Sequence, residues 1–368
     1  MIIEELAEHA ALRDAIRSLL EREVPPERIG VNADRPGRYD PGLWARLAGE
    51  LGVAGLAAPA SLGGGGARLA ETAILAEELG RCLASTPFVG TVALAMNLLL
   101  TAADEDANAR LLPGMCAGTL TATVAYRGRD GSPAVLPLRA TEADGGWTLS
   151  GRASYVADGT SADVLLAVAQ APAGPSLFEL SEPVTRTTMP TLDETRDQSE
   201  VTCDASAAVL IGTAGAAAPW LARMIDEAAV LIAAGQAGGA DRALELAVEY
   251  AGLRVQFGRP IGSFQAIKHR CADIVVANDR ARSALAHGIW AAVESPERLP
   301  AAAAMAALVC SEAYLHASQE SVQIHGGIGF TWDHPCHRYF RRARADAVAL
   351  AGPRWFEQRL LAAIDAVG

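Results

Sequence analysis

Between two stretches rich in alanine and leucine, the segment from Tyr250 to Arg270 reads YAGLRVQFGRPIGSFQAIKHR. Leu231–Leu253 before it and Ala266–Ala286 after it both carry apolar residues at helical spacing, so one long rod is interrupted in its middle. Gly258, Pro260 and Gly262 make the interruption, because proline lacks the N–H that a helix interior needs and glycine relaxes the backbone. Any fold of this chain must therefore place a sharp polar corner between two long helices. Arg254, Gln256, Phe257, Arg259 and Gln265 surround that corner with a cation, amide donors and an aromatic face. Those are the needs of a phosphate-bearing ring cofactor. A helical hairpin with solvated arginines is the plainer alternative.

The remainder divides into three textures. Residues 1–117 have helical periodicity in Leu6–Arg22, Pro41–Leu51, Arg68–Cys82 and Val89–Ala103. Residues 118–213 carry short β-prone runs, TATVAYRG, GWTLSGRASYV, ADVLLAVAQ and SLFELSEPVTRTTM, separated by turn residues, which predicts a small antiparallel β domain. Helices return over 214–368, near 217–256, 264–292, 299–325 and 336–349. The expected order is helical domain, β domain, helical domain, with 368 residues giving ample core.

Several classes of partner are disfavoured. A formal charge of −12 opposes nucleic acid and anionic lipid. The apolar runs are too short or too charged to predict a membrane span, and the acidic amphipathic start argues against a secretory signal, so a cytoplasmic protein is expected. Cys82, Cys116, Cys203, Cys271, Cys310 and Cys336 are widely spaced and read as buried thiols. Asp333, His334, Cys336 and His337 cluster in DHPCH, but zinc usually recruits from two separated stretches, so no metal is expected. LGGGG at 62–66 lacks the spacing of a nucleotide loop and reads as a flexible turn. Arg338, Arg341, Arg342 and Arg344 form a basic helical face suited to a neighbouring subunit's acids or to cofactor phosphates.

A second informative stretch is VQIHGGIGFTWDH, residues 322–334. Gly326 and Gly327 end a long helix by accepting φ > 0, and with Gly329 they leave backbone bare for a planar or anionic ligand. In this order and separation, RVQFGRPIGSFQ and QIHGGIGF resemble the C-terminal domain of the acyl-CoA dehydrogenase flavoprotein family. LGVAGLAAPASLGGGGARLAETAILAEELGR is similar to that family's N-terminal helical segment, and GWTLSGRASYVADGTSADVLLAVA to its middle β domain. The resemblance implies an α+β fold with an N-terminal helical domain, a middle antiparallel β domain and a C-terminal four-helix bundle. It also implies FAD, an acyl-CoA substrate oxidised to the trans-2-enoyl product, a homo- or hetero-oligomer, and electron-transfer flavoprotein as acceptor. Arg254, Gln256, Phe257 and Gln265 would meet FAD, and Gly326 and Gly327 would meet it from a neighbouring subunit. A guanidinium fork suits the pyrophosphate at Arg254. Tyr155 stands where the family usually has a tryptophan against the flavin, and Ala157 where it has a threonine.

The family's base is a glutamate that takes the α-proton while the β-hydrogen leaves as hydride. Here Leu350 or Ala351 occupies its usual place. At a second family position, on the helix before the corner, stands Ala228, with Glu227 beside it and Asp226 next. Three readings follow. The chain is the partner of a base-bearing subunit, a self-sufficient oligomer using Glu227 or Asp226, or a scaffold without redox chemistry. The acyl group is not legible.

Overall fold

In the computed structural model, residues 7–365 are described, apart from positions 35, 144 and 182. The N-terminal helices are α1 (Ala7–Glu23), α2 (Pro41–Gly49), α3 (Leu69–Arg81), α4 (Asn97–Ala102) and α5 (Glu105–Cys116). A π-helical stretch, Val89–Met96, runs directly into α4 and is buried throughout. Local chemistry fixes two starts. Asp40 accepts from the Gly42 and Leu43 amides with Pro41 at the first helical position, and Asp104 accepts from the Ala107 amide. LGGGG is an ordered turn and not a flexible one, because Gly64, Gly65 and Gly66 donate to the carbonyls of Pro59, Gly55 and Ala58.

Seven strands follow: β1 (Ala122–Ala125), β2 (Leu138–Ala143), β3 (Gly146–Ala157), β4 (Val164–Ala171), β5 (Gly174–Leu180), β6 (Thr185–Thr188) and β7 (Gln198–Ile211). Most pairings are antiparallel, but β1 and β2 both pair parallel with β4, so the domain is not wholly antiparallel as expected. The order is β1-β4-β2-β3-β7-β5, and β5 also pairs with β4, so the sheet closes on itself. Its interior is filled by Leu149, Leu165, Ala167, Phe178 and Val201, the inward members of alternating strands.

The C-terminal part comprises α6 (Ala217–Leu253), α7 (Gln265–Glu294), α8 (Leu299–His325), α9 (Cys336–Asp346) and α10 (Pro353–Asp365). Helix α6 packs on α3 on one side and α8 on another. Glycines permit the first contact: a Cβ on Gly80 would strike the Gly235 backbone, and one on Gly238 would strike Glu77. The N-terminal helices and the bundle thus share one apolar core. By length and composition alone, one helix within Pro296–Phe330 could cross a membrane, which the sequence reading did not expect. Its Ala302, Ala303, Ala306, Cys310, Tyr314 and Ala317 are instead buried in a bundle where α8 packs on α6 and α7.

Candidate functional site

Helix α6 ends where Arg254 turns extended, its amide still bonded to Tyr250 O at 2.8 Å. Val255–Gln256 then pairs with Arg259–Pro260 around Phe257 (φ 51°) and Gly258 (φ 74°), a two-residue hairpin with both central residues left-handed. Ile261 N donates to Arg254 O at 2.8 Å, and Gly262 lies against the Ala251 backbone where a side chain would crowd. One short turn later α7 begins at Gln265. The interruption is therefore a rigid corner. Arg254, Gln256, Phe257 and Gln265 all project from it into solvent, and Phe257 is 92% exposed. Arg259 stacks over Phe264 at 4.1 Å.

Helix α8 ends at Gly326 (φ 63°), whose amide bonds Val322 O and Gln323 O. Gly327 does not take a positive φ, so the expected left-handed pair reduces to one residue. A Cβ on either glycine would meet nothing within 4 Å, whereas one on Gly329 would press on Val322 O at 2.9 Å. Gly326 and Gly327 thus offer open backbone while Gly329 lets the turn close. The His325 ring stacks on Tyr250 at 4.5 Å, and Ile324 shares a small core with Ala247 and Ala251. These contacts bring the glycine turn and the corner to the same end of the bundle.

The turn also draws His325 toward His334 and Cys336, whose ligand-type atoms lie within 4.8 Å of one another. The sequence reading missed this because His325 belongs to α8 and the others to the next segment. Existing bonds account for much of the cluster: His325 Nδ1 with Ser321 O, Cys336 Sγ with Ser321 Oγ, and His334 Nδ1 with Cys336 N. Burial pushes the Cys336 thiol up to about 11, which disfavours the thiolate a metal would need.

On the β domain, Tyr155 is half-buried and left-handed (φ 55°). Arg127, only 3% exposed, donates to Tyr155 O at 2.9 Å and to Val348 O at 3.2 Å. Its guanidinium lies 5.5 and 5.6 Å from the rings of Tyr126 and Tyr155. Tyr126 Oη donates to Leu350 O at 3.4 Å. The place where the resemblance expects a glutamate is thus a buried apolar turn, Leu350–Ala351, tied to β1 by Tyr126 and Arg127. Nothing in the local sequence announced this bridge, whose ends lie more than two hundred residues apart.

The two remaining carboxylates are both engaged. Asp226 is clamped by Arg359 of α10, and Glu227 by Arg223 at 2.8 Å, one turn earlier on α6. Burial raises both carboxyls, Asp226 to about 6. Glu227 lines a cleft with Arg68, Asn97, Arg223 and Val293. Ala229, Ile232 and Gln236 form the stripe of α6 that shares a cavity with Leu350. Ala229 lies two positions after Glu227, a rotation of about 200°, so Glu227 faces away from the Leu350 turn.

The basic face of α9 is resolved differently from expectation. Arg342 is 3% exposed and bonds Asp193 and Thr195 of the β domain. Arg338 and Arg341 face Glu194, and Arg344 remains exposed. Three of the four therefore meet acids of their own chain, because α9 packs onto the 193–196 segment. Asp158 and Asp197 are buried nearby, with Asp158 accepting from the Gly90 amide at 2.9 Å. Burial, with Asp197 adding to it, raises Asp158 to about 7.

A helical N-terminal unit, a closed β sheet and a helical bundle interrupted at a cofactor-like corner together define the acyl-CoA dehydrogenase architecture. The chain belongs to the acyl-CoA dehydrogenase family: residues 6–119 match its N-terminal domain and residues 219–354 its C-terminal domain. Among its relatives, the acyl-CoA dehydrogenase IpdE2 of Mycobacterium tuberculosis is 37% identical over 355 residues, covering 96% of each chain. The solved Tcur3481-Tcur3483 steroid ACAD G363A variant is 30% identical with a TM-score of 0.89, covering 98% of this chain and 99% of that one. The ChsE4-ChsE5 complex from Mycobacterium tuberculosis is 28% identical with a TM-score of 0.90, covering 99% of both. FAD-dependent dehydrogenation is general to this family.

Proposed function

We propose that this chain is one subunit of a heteromeric, FAD-dependent acyl-CoA dehydrogenase, contributing an interface to a flavin site whose base resides on a partner chain. The observation that carries this is the Leu350–Ala351 turn, buried and apolar, with the nearest carboxylates on α6 already paired or turned away. In support, two structural relatives carry paired names, one of them a steroid ACAD.

The corner and the glycine turn fit an FAD approached from outside the subunit. Arg254 offers a fork for its pyrophosphate, Gln256 and Gln265 offer amides, Phe257 offers an apolar face, and Gly326 and Gly327 offer unobstructed backbone. Held there, FAD would supply the acceptor for the β-hydrogen of the acyl thioester as hydride, while a carboxylate base on a partner chain would take the α-proton. Within this chain, Tyr126 and Arg127 hold the junction between the β domain and residues 348–350 closed with protein groups. Electron-transfer flavoprotein is the expected acceptor, and the acyl group a fatty or steroid side-chain thioester.

A self-sufficient enzyme is the second reading, favoured by the raised carboxyl of Glu227 and the cleft it lines. Purification of the chain alone separates them. The heteromeric reading expects no stoichiometric flavin absorbance near 450 nm and no bleaching by acyl-CoA until a partner is co-expressed. Flavin reduction by the isolated chain, lost in Glu227→Gln, would establish the second reading instead. A co-purified complex without flavin would leave a scaffold.

A further inference from the structure

Between α6, α8 and the connection from α9 to α10 lies a cavity of about 420 Å³, within the range of small-molecule sites. Ala229, Ile232, Ala307, Leu308 and Phe356 give it apolar walls. Gln236, Ser311 and Asp346 set polar groups into that surface, and Asp346 is already ion-paired with Arg196 at 3.1 Å. Gln236 is 1% exposed and shares the stripe of α6 that carries Ala229 and Ile232. Its Nε2 donates to Ser311 Oγ at 2.8 Å, while its Oε1 is buried without a hydrogen-bond partner. A buried amide oxygen is nearly always satisfied, so an orphan lining a cavity points to a donor that completes it.

The rim narrows the class. Glu312 and Glu357 contribute two carboxylates against the single guanidinium of Arg344, and all three are exposed. That balance gives an anion no advantage. We propose that this cavity binds a small, neutral, largely apolar molecule that donates one hydrogen bond to Gln236 Oε1. Leu350 forms part of the wall, and its carbonyl accepts from Tyr126 Oη, so an occupant would touch the turn that fastens the bundle to the β domain. The site does not depend on which chain carries the base.

Calorimetric titration of the full chain with indole, and with benzothiophene as an isostere lacking the N–H, tests the assignment. Indole should bind saturably at one site per chain, and benzothiophene about three- to tenfold more weakly, as one net hydrogen bond requires. Gln236→Leu should erase that preference, and Ala307→Leu, which fills the cavity from a half-buried position, should weaken both ligands. Absence of saturable indole binding, as from a cavity holding water alone, would overturn the proposal. So would an unchanged preference in Gln236→Leu. Should Gln236→Leu fail to fold by circular dichroism, indole binding undiminished in a folded Ala307→Leu would overturn it equally.

Discussion

Arg359 grips Asp226 through a single nitrogen, Nη2, which donates to both carboxylate oxygens at 2.6 and 2.7 Å and ties α10 to α6. Asp226 is 3% exposed, so its charge depends on that grip. Replacing Arg359 with methionine leaves a buried carboxylate without its cation, and such losses cost about 3–5 kcal/mol. Burial already raises Asp226 to about 6 with the arginine present, and removal of the arginine raises it further. A carboxyl whose folded pKa lies above its unfolded one weakens the fold as pH rises. Urea titrations should therefore show Arg359→Met more damaging at pH 8 than at pH 5.

Asp158 provides a second pH signature. Its folded pKa of about 7 exceeds the ordinary aspartate value, so the stability it contributes is complete below about pH 4 and lost as pH rises through 7. Asp158→Asn keeps an acceptor for the Gly90 amide and removes the titration. The variant should become progressively more stable than the wild type between pH 5 and pH 8, by on the order of 2–4 kcal/mol. Parallel melting curves at the two pH values would contradict the assignment.

Arg127, two residues beyond β1, joins β3 to the segment after α9 through two carbonyls, Tyr155 O and Val348 O. Arg127→Met preserves most of the stem and abandons both acceptors, a cost of about 1–3 kcal/mol. Hydrogen exchange should quicken locally over residues 346–352, while the α6–α8 packing stays protected. A uniform change across the chain would mean that Arg127 supports the whole fold and not this junction.

The three glycines after α8 should separate folding from ligand contact. Gly329→Ala drives a methyl onto Val322 O, and Gly326→Ala imposes a left-handed backbone on an L-residue; each should lower stability by about 1–3 kcal/mol. Gly327→Ala meets open space at an ordinary φ and should fold within about 0.5 kcal/mol of wild type. In an assembled enzyme, Gly327→Ala should nevertheless weaken flavin retention, measured by absorbance after gel filtration.

Local signals made part of this molecule legible. Helix α8 follows its periodicity from Leu299 to His325, and the glycines and proline of the corner mark a real break. Strands β2 and β7 carry weak local signals: β2 buries only Leu138 and Ala140 among its described residues, and β7 buries two serines, Ser199 and Ser206, with its inward alternation shifting after Cys203, so β7 draws its stability from pairing with β3, β5 and β6. Helix α10 is likewise placed from outside its own sequence, by packing on α8 and by the pairing of its Arg359 with Asp226 of α6. The site divides the same way. The exposed arm was visible in contiguous residues, whereas Arg342 with Asp193 and Arg127 with Val348 join positions that only the fold brings together.

Phe257 has a consequence for the isolated chain. A phenyl ring held almost wholly in water by a fixed hairpin cannot retreat into its own subunit, since the corner's backbone bonds hold it outward. Leu253 and Phe330, 82% and 78% exposed, add to the same liability. Covering such surface favours the folded form by mass action, so thermal resistance should depend on how concentrated the protein is and on which companion is present. On the heteromeric reading proposed above, a solution of this polypeptide by itself is then a poor guide to its durability beside a partner that covers this surface.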